Sequence, residues 1–283
     1  MADKTTRVDG LHVRYLEGGP GGGSDGQPVL LLHGASLGSS ADVFTRNFRP
    51  LAMAGLRPIA VDRPGFGESD GPGDRTAAGH RRFIIGFLDA LGIASAVVVG
   101  HSQQGSPTAQ LTLDQPDRVP RAVILGTGSL IPPLPEGGAA EGEGEPLEAE
   151  PTLEQSRAIL EANLYRRELI TPEELALRNR MSLGRNFTYY AQRAPAPSPA
   201  PAGVPQEPLW RRLGANPERL LLLYGRNDKP STERRCELAQ QMFPSLRLHL
   251  LDGCSHMVHW DRAADFERET IGFVNEGAVA AAP

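Results

Sequence analysis

Short apolar runs recur along the chain, and most end at a glycine or a polar turn before a helix-length amphipathic stretch. Leu11 to Glu17 alternates, with Leu11, Val13 and Tyr15 on one side, which predicts an edge strand with one wetted face. Val29 to Leu32, Pro58 to Val61, Val97 to Val99, Arg121 to Leu125, Leu220 to Tyr224 and Leu246 to Leu251 are nearly continuous apolar runs, the pattern of strands buried on both faces. Between them the spacing predicts helices. One is capped by Ser39 or Ser40, runs to Met53-Ala54 and stops at Gly55. Others span His80 to Leu91 (closed by Gly92), Ser106 to Gln115 (before Pro116), Thr232 to Met242 and Asp261 to Asn275. Strands alternating with helices predict an α/β fold, a mostly parallel twisted sheet with helices on both faces.

The rhythm breaks over residues 130–216. Thr152 to Leu164 and Thr171 to Leu183 read as helices. Thr171-Pro172-Glu173-Glu174 supplies a capping hydroxyl, a proline at the first helical position and acids in the first turn. Pro132 to Pro151 is rich in Pro, Gly and Glu and reads as mobile or disordered, a tolerated insertion rather than a mobile lid, and Pro195 to Pro208 reads as a linker. The expected organisation is a core in two parts, 1–129 and 217–283, with 130–216 inserted as a helical cap or lid. Gly18 to Gly26 reads as a strand connector, since it opens no helix and no Lys-Ser/Thr follows. Gly277 to Pro283 reads as a small-residue tail.

Composition narrows the classes. The chain has 283 residues, 22% of them charged, and a net charge of −5, which gives no support to nucleic-acid binding. Two cysteines, Cys236 and Cys254, make no disulfide framework and suggest a reducing compartment. Met1 to Asp9 is polar, without a signal-like apolar core, and no run approaches the ~20 apolar residues of a membrane span. The expectation is a cytoplasmic protein acting on a small molecule, with no nucleic-acid or membrane partner; a homodimer is compatible with this. No His-x-x-x-His or paired-Cys spacing marks a metal, and no cofactor is expected. His12, His80, His101, His249 and His259 are taken as structural or solvated.

The chemistry lies at the strand ends, where open α/β sheets gather reactive groups. Val97-Val98-Val99-Gly100-His101-Ser102 is written as a strand-to-helix turn that exposes a serine hydroxyl. A serine needs a base near neutral pKa, and that base needs an anion to fix its tautomer. His256, after the strand ending in Asp252-Gly253, is the expected base. Asp228, after Leu220 to Tyr224, is the expected anion, with Asp252 as rival. The N–H of Gln103 and one from Ala35 or Ser36, after His33-Gly34, are the expected oxyanion donors. Gln104 stands where G-x-S-x-G places glycine, and Gly105 follows one position later. Either the turn is wider there or the Gln104 side chain finds polar partners.

His33-Gly34, Asp62-Arg63-Pro64-Gly65-Phe66-Gly67-Glu68-Ser69, the serine turn, Pro116-Asp117-Arg118-Val119, Gly225-Arg226-Asn227-Asp228 and Gly253-Cys254-Ser255-His256 together resemble the α/β-hydrolase superfamily along nearly the whole chain. Within it the chain looks most like the meta-cleavage-product hydrolases, which cut a carbon–carbon bond in vinylogous diketone acids. Leu88 to Ile93, Leu164-Tyr165 through Ile170-Thr171 to Arg178, and His256 through Trp260 to Phe266 carry that likeness. The resemblance implies a Ser102-His256-Asp228 triad and places Arg178 where the family binds the dienol acid. His33, Gly34, Met257, Val43 and Phe44 fall at substrate-facing positions. The chain departs from the family at Met257, where tryptophan is usual, at Val43 or Phe44, where an asparagine is usual, and in its Ala35-Ser36-Leu37 oxyanion loop.

The expected function is a serine-dependent hydrolase that forms an acyl-enzyme from an ester, lactone or activated ketone, carbon–carbon hydrolysis included. Arg178, or Arg180, would hold an acidic group; the plain alternative is a solvated helix face. Two rival readings stand beside it: a cyclase or lyase using His256 and Asp228 for proton transfer, and a low-turnover ligand receptor.

Overall fold

The computed structural model describes residues 1–19, 25–135, 147, 149–192 and 207–280, with side chains as far as residue 276. Its strands are β1 (Ala2–Val8), β2 (Leu11–Glu17), β3 (Gln27–Leu32), β4 (Leu56–Val61), β5 (Val97–His101), β6 (Ala122–Leu125), β7 (Leu220–Gly225) and β8 (Arg247–Leu251). They form one sheet in the order β1-β2-β4-β3-β5-β6-β7-β8. Pairing is antiparallel for β1–β2 and β2–β4 and parallel from β4 through to β8.

The amino terminus corrects the expectation. Met1 to Asp9 contributes β1, and β2 is therefore internal rather than an edge. β1 is solvent-exposed along most of its length, so it carries no apolar alternation to read. His12 is exposed, but Arg14 and Glu17 of β2 are buried as ion pairs. Arg14 reaches Asp42 at 2.8 Å and Asp62 at 3.2 Å, and Glu17 reaches Lys4 at 2.6 Å.

The helices are α1 (Thr45–Met53), α2 (Ala77–Ala90), α3 (Gly105–Asp114), α4 (Leu153–Glu161), α5 (Pro172–Arg180), α6 (Arg185–Ala191), α7 (Leu209–Arg212), α8 (Thr232–Met242), α9 (Val258–Asp261) and α10 (Ala263–Ala280). Successive strand residues point to opposite faces. Val29, Leu31, Val97 and Val99 pack with Phe48 and Leu51 of α1 and Phe266 of α10. Leu30, Leu32 and Val98 pack with Ile84, Phe87 and Leu88 of α2. Ala122, Ile124, Leu220 and Leu222 pack with Ala109 of α3 and Cys236 and Ala239 of α8. These full burials, at ~1.5–3 kcal/mol per large aliphatic side chain, fix the sheet register that aligns the reactive strand ends.

Between β6 and β7 the chain forms α4 to α7. Thr152 and Gln155 close a reciprocal capping box on α4, and Thr171 caps α5 as its sequence predicts. Helices α6 and α7 have seven and four residues, too short to show a 3.6-residue period. This stretch lies over the carboxyl ends of the strands: Asn163 accepts the Met257 N–H, Asp261 accepts the N–H groups of Tyr165 and Arg166, and Asn186 donates to the Gly67 carbonyl. The last expected helix is instead α9 and α10, and residues 277–280 continue α10 instead of forming a tail. Most of Pro132 to Pro151, most of Pro195 to Pro208, and residues 20–24 and 281–283 lie outside the described residues. Among the described residues no helix is long and apolar enough to cross a membrane.

Candidate active site

β5 delivers Ser102 at the start of the turn into α3, with φ of +56°. A non-glycine residue in the left-handed region costs ~1–3 kcal/mol and persists only where its surroundings impose it. Here the Thr127 hydroxyl donates to the Ser102 carbonyl at 2.8 Å. The close approach behind this turn falls at Gly105, where an added Cβ would stand 1.9 Å from Thr127 Oγ1. The position of Gln104 does not need glycine. Its side chain is buried, and Nε2 donates to His80 Nδ1 at 3.3 Å, so of the two expectations the polar-partner one describes it.

The ends of β7 and β8 bring two more groups to the serine. His256 Nε2 accepts from the Ser102 hydroxyl at 2.9 Å, and His256 Nδ1 donates to Asp228 at 2.9 and 3.1 Å. The Asp228 side chain is only 6% exposed, so this contact is shielded from water. Asp252, the rival, is turned to solvent and pairs with Arg226. His101 is not solvated. Its ring lies 4.8 Å from that of His256, and its Nε2–H donates to the His256 carbonyl at 3.0 Å. Burial holds His101 well below the ordinary histidine pKa, so it supports His256 as a neutral ring. No sequence pattern points to this contact, because it joins residues 155 positions apart.

Across from these groups runs the loop after β3. His33 is fully buried, and its Nδ1–H donates to the Gly34 carbonyl at 2.8 Å while Nε2 accepts the Arg63 N–H at 3.2 Å. Arg63 donates to the same Gly34 carbonyl at 2.7 Å and to the Gln103 side chain at 3.2 Å. Gly34, Ala35, Ser36, Val43, Arg178 and Met257 enclose a cavity of about 20 Å³ with Ser102 and His256. A larger cavity of about 350 Å³ shares Ala35 and continues past Gln103 between the loop after β4 and α2. Phe44 offers the site no surface: it is wholly buried, its ring 4.6 Å from that of His259. Val43 borders the cavity, and its carbonyl accepts from Trp260 Nε1.

Arg178 does not lie on a solvated face. It is 6% exposed, Nη1 donates to Ser39 at 3.3 Å, and burial pushes its pKa down to about 10. Gly38 (φ +77°) permits this, since an added Cβ would stand 2.5 Å from the Arg178 carbonyl. Arg180 is exposed. Among the described residues no group of three or more His, Cys, Asp or Glu side chains could hold a metal ion.

The model of the "Alpha/beta hydrolase family" matches residues 29–269. A 2-hydroxy-6-oxo-6-phenylhexa-2,4-dienoate hydrolase of Burkholderia cepacia is 31% identical over 269 residues, 89% of each chain. A 2-hydroxy-6-oxononadienedioate/2-hydroxy-6-oxononatrienedioate hydrolase of Comamonas testosteroni is 30% identical over 268 residues, again 89% of each. Among solved structures, a meta-cleavage product hydrolase of Pseudomonas fluorescens IP01, a serine-to-alanine mutant complexed with acetates, superposes with a TM-score of 0.74 at 26% identity, covering 97% of this chain and 98% of that one. With its parallel sheet and strand-end site, the chain thus belongs to the alpha/beta hydrolase family, an enzyme class whose meta-cleavage product hydrolases are its relatives.

Proposed function

We propose that the chain is a serine hydrolase in which Ser102 attacks a carbonyl carbon, His256 is the general base and acid, and Asp228 orients the imidazole. The observation that carries this reading is the unbroken hydrogen-bonded line from the Ser102 hydroxyl through both His256 nitrogens to the buried Asp228 carboxylate. In the first step the Ser102 proton passes to His256 Nε2 as the Oγ–C bond forms. The charge on the carbonyl oxygen is held by the Gln103 N–H and by one from Ala35 or Ser36. The tetrahedral species then expels its leaving group, which takes the proton from His256. Water, activated by the same imidazole, hydrolyses the acyl-enzyme.

We assign the substrate as a ketone or ester that carries a carboxylate, with Arg178 as the anion's partner. Two facts support this: the relatives are named for acids of the 2-hydroxy-6-oxo-dienoate type, and no carboxylate of the described residues pairs with the Arg178 guanidinium. Residues 130–216 then act as the cap that brings Arg178 to the serine, and the two buried free thiols fit a reducing cytoplasm.

A fluorophosphonate probe, with mass-spectrometric mapping, tests the nucleophile. Label on Ser102, lost in Ser102→Ala together with turnover, is the expected result; turnover that survives in Ser102→Ala sinks the acyl-enzyme and leaves His256-Asp228 proton transfer. Parallel assays with a 6-oxo-dienoate and a neutral p-nitrophenyl ester separate carbon–carbon from simple ester hydrolysis.

A further inference from the structure

We infer that Arg63, at the end of β4, is a positioning residue for the oxyanion site, clamping both candidate donors at once through its two guanidinium arms. The inference rests on the serine-hydrolase reading above. One arm donates to the Gly34 carbonyl at 2.7 Å, and the other to the Gln103 side chain at 3.2 Å. Arg63 is 3% exposed, and its guanidinium lies 4.6 Å from the centroid of the Phe66 ring, which leaves little freedom to swing.

The geometry of the peptide bond turns the first contact into a statement about the oxyanion donor. In a trans peptide the C=O and the following N–H point in opposite directions and rotate as one plane. The Gly34 carbonyl and the Ala35 N–H belong to one such plane. Two donors, His33 Nδ1–H at 2.8 Å and Arg63, hold that carbonyl, so the Ala35 N–H faces away from both. The residue that carries this carbonyl lies against the serine turn: a Cβ built on Gly34 would stand 3.1 Å from both Ser102 Cβ and His101 Nδ1. The neighbour of Arg63 holds the far end of the same loop, since Asp62 accepts the Ala41 N–H at 2.6 Å. Consecutive residues of one strand end therefore fix both ends of the loop from Gly34 to Ala41.

The second arm ties the residue after the nucleophile to the same cation. Only a planar, forked donor reaches both acceptors; an ammonium on a flexible stem is a single point. The guanidinium meets the Gly34 carbonyl, the Gln103 side chain and the Phe66 ring.

The test uses Arg63→Met and Arg63→Lys in the full chain, with p-nitrophenyl butyrate as substrate and an aryl trifluoromethyl ketone as oxyanion-forming inhibitor. Removing one donor at such a site costs on the order of 100–1000-fold in turnover, and loosening donors that remain costs less. Arg63→Met should lower kcat about 30-fold with KM within about threefold. It should weaken the trifluoromethyl ketone by the same factor and leave the pH profile of kcat/KM in place. Arg63→Lys should recover only a small part of the loss. Folded Arg63→Met with unchanged kcat, a loss confined to KM, or full recovery in Arg63→Lys overturns the clamp. If Arg63→Met does not fold, Arg63→Lys decides alone: parallel loss of kcat and inhibitor affinity supports the clamp, and wild-type values refute it. Fluorophosphonate labelling of each variant keeps the two claims apart. A wild type that is neither labelled nor active removes the parent reading, whereas labelled, active wild type with indifferent variants removes only the clamp.

Discussion

Substituting Gly105 with alanine should do more harm than replacing Gln104 with the glycine that the usual serine-turn motif contains. A Cβ at Gly105 would lie 1.9 Å from Thr127 Oγ1, 2.7 Å from Thr127 Cβ and 2.9 Å from Ile124 Cγ2, so Thr127 has to move. Overpacking of that kind costs about 1–3 kcal/mol. Thr127 also donates to the Ser102 carbonyl at 2.8 Å, and losing that bond adds roughly 1 kcal/mol. The sum, about 2–4 kcal/mol, corresponds to a fall in Tm on the order of 3–7 °C for a chain of this size. Ser102 loses the contact that holds its left-handed backbone, and a shift of about 1 Å at a nucleophile costs roughly a hundredfold in rate. Gln104→Gly should cost only about 1–2 kcal/mol, from lost packing and gained chain freedom, and should stay within tenfold of wild-type turnover. Thermal unfolding by circular dichroism, with kcat per fluorophosphonate-titrated site, measures both. Wild-type Tm and kcat in Gly105→Ala, with Gln104→Gly the more damaged protein, would refute this placement of the tight contact.

Three further outcomes follow from the geometry. Ser102→Gly should abolish labelling and turnover yet raise stability by about 1 kcal/mol, because glycine adopts φ of +56° without strain; a lower Tm would mean that the bond to His256 outweighs the strain. Burial depresses His259 to a pKa of about 3, and neither ring nitrogen has a hydrogen-bond partner among the described residues. Its contribution to stability is complete above the unfolded value near 6.5 and is lost as pH falls towards 3, about 1.4 kcal/mol by pH 5.5. His259→Phe should therefore lose less Tm than wild type between pH 7.5 and 5.5, and parallel pH curves would contradict the assignment. Arg178→Met removes a buried charge that has no carboxylate partner among the described residues, so Tm should rise by a few degrees while kcat/KM for a carboxylate-bearing substrate falls at least 100-fold and that for a neutral ester holds; equal losses on both substrates would show a role other than anion recognition.

The parts of the molecule legible in the sequence are those whose cause is local. Apolar runs ending in Gly-x-Ser, Arg-Asn-Asp and Gly-Cys-Ser-His name the strands and their chemical termini together, because a strand buried on both faces tolerates polar residues only where it emerges. What escaped has a common cause as well: a buried charge is held by partners distant in the sequence. β1 and β2 show it at the amino terminus, where Arg14 and Glu17 lie inside the sheet because acids and bases from other elements meet them. Arg63 shows it at the oxyanion loop, where its partners are two groups, 29 and 40 positions away, that no sequence period connects. Arg178 is the most telling of these residues. Helix α5 carries arginines at 178 and 180, and the pattern cannot separate them; the structure buries the first against Gly38 and Ser39 and leaves the second exposed. A buried cation is tolerated when carboxylates surround it, as they surround Arg14, and is costly when a serine hydroxyl is its neighbour. The difference between these two arginines of similar burial is the physical reason to place anion recognition at Arg178 and structural pairing at Arg14.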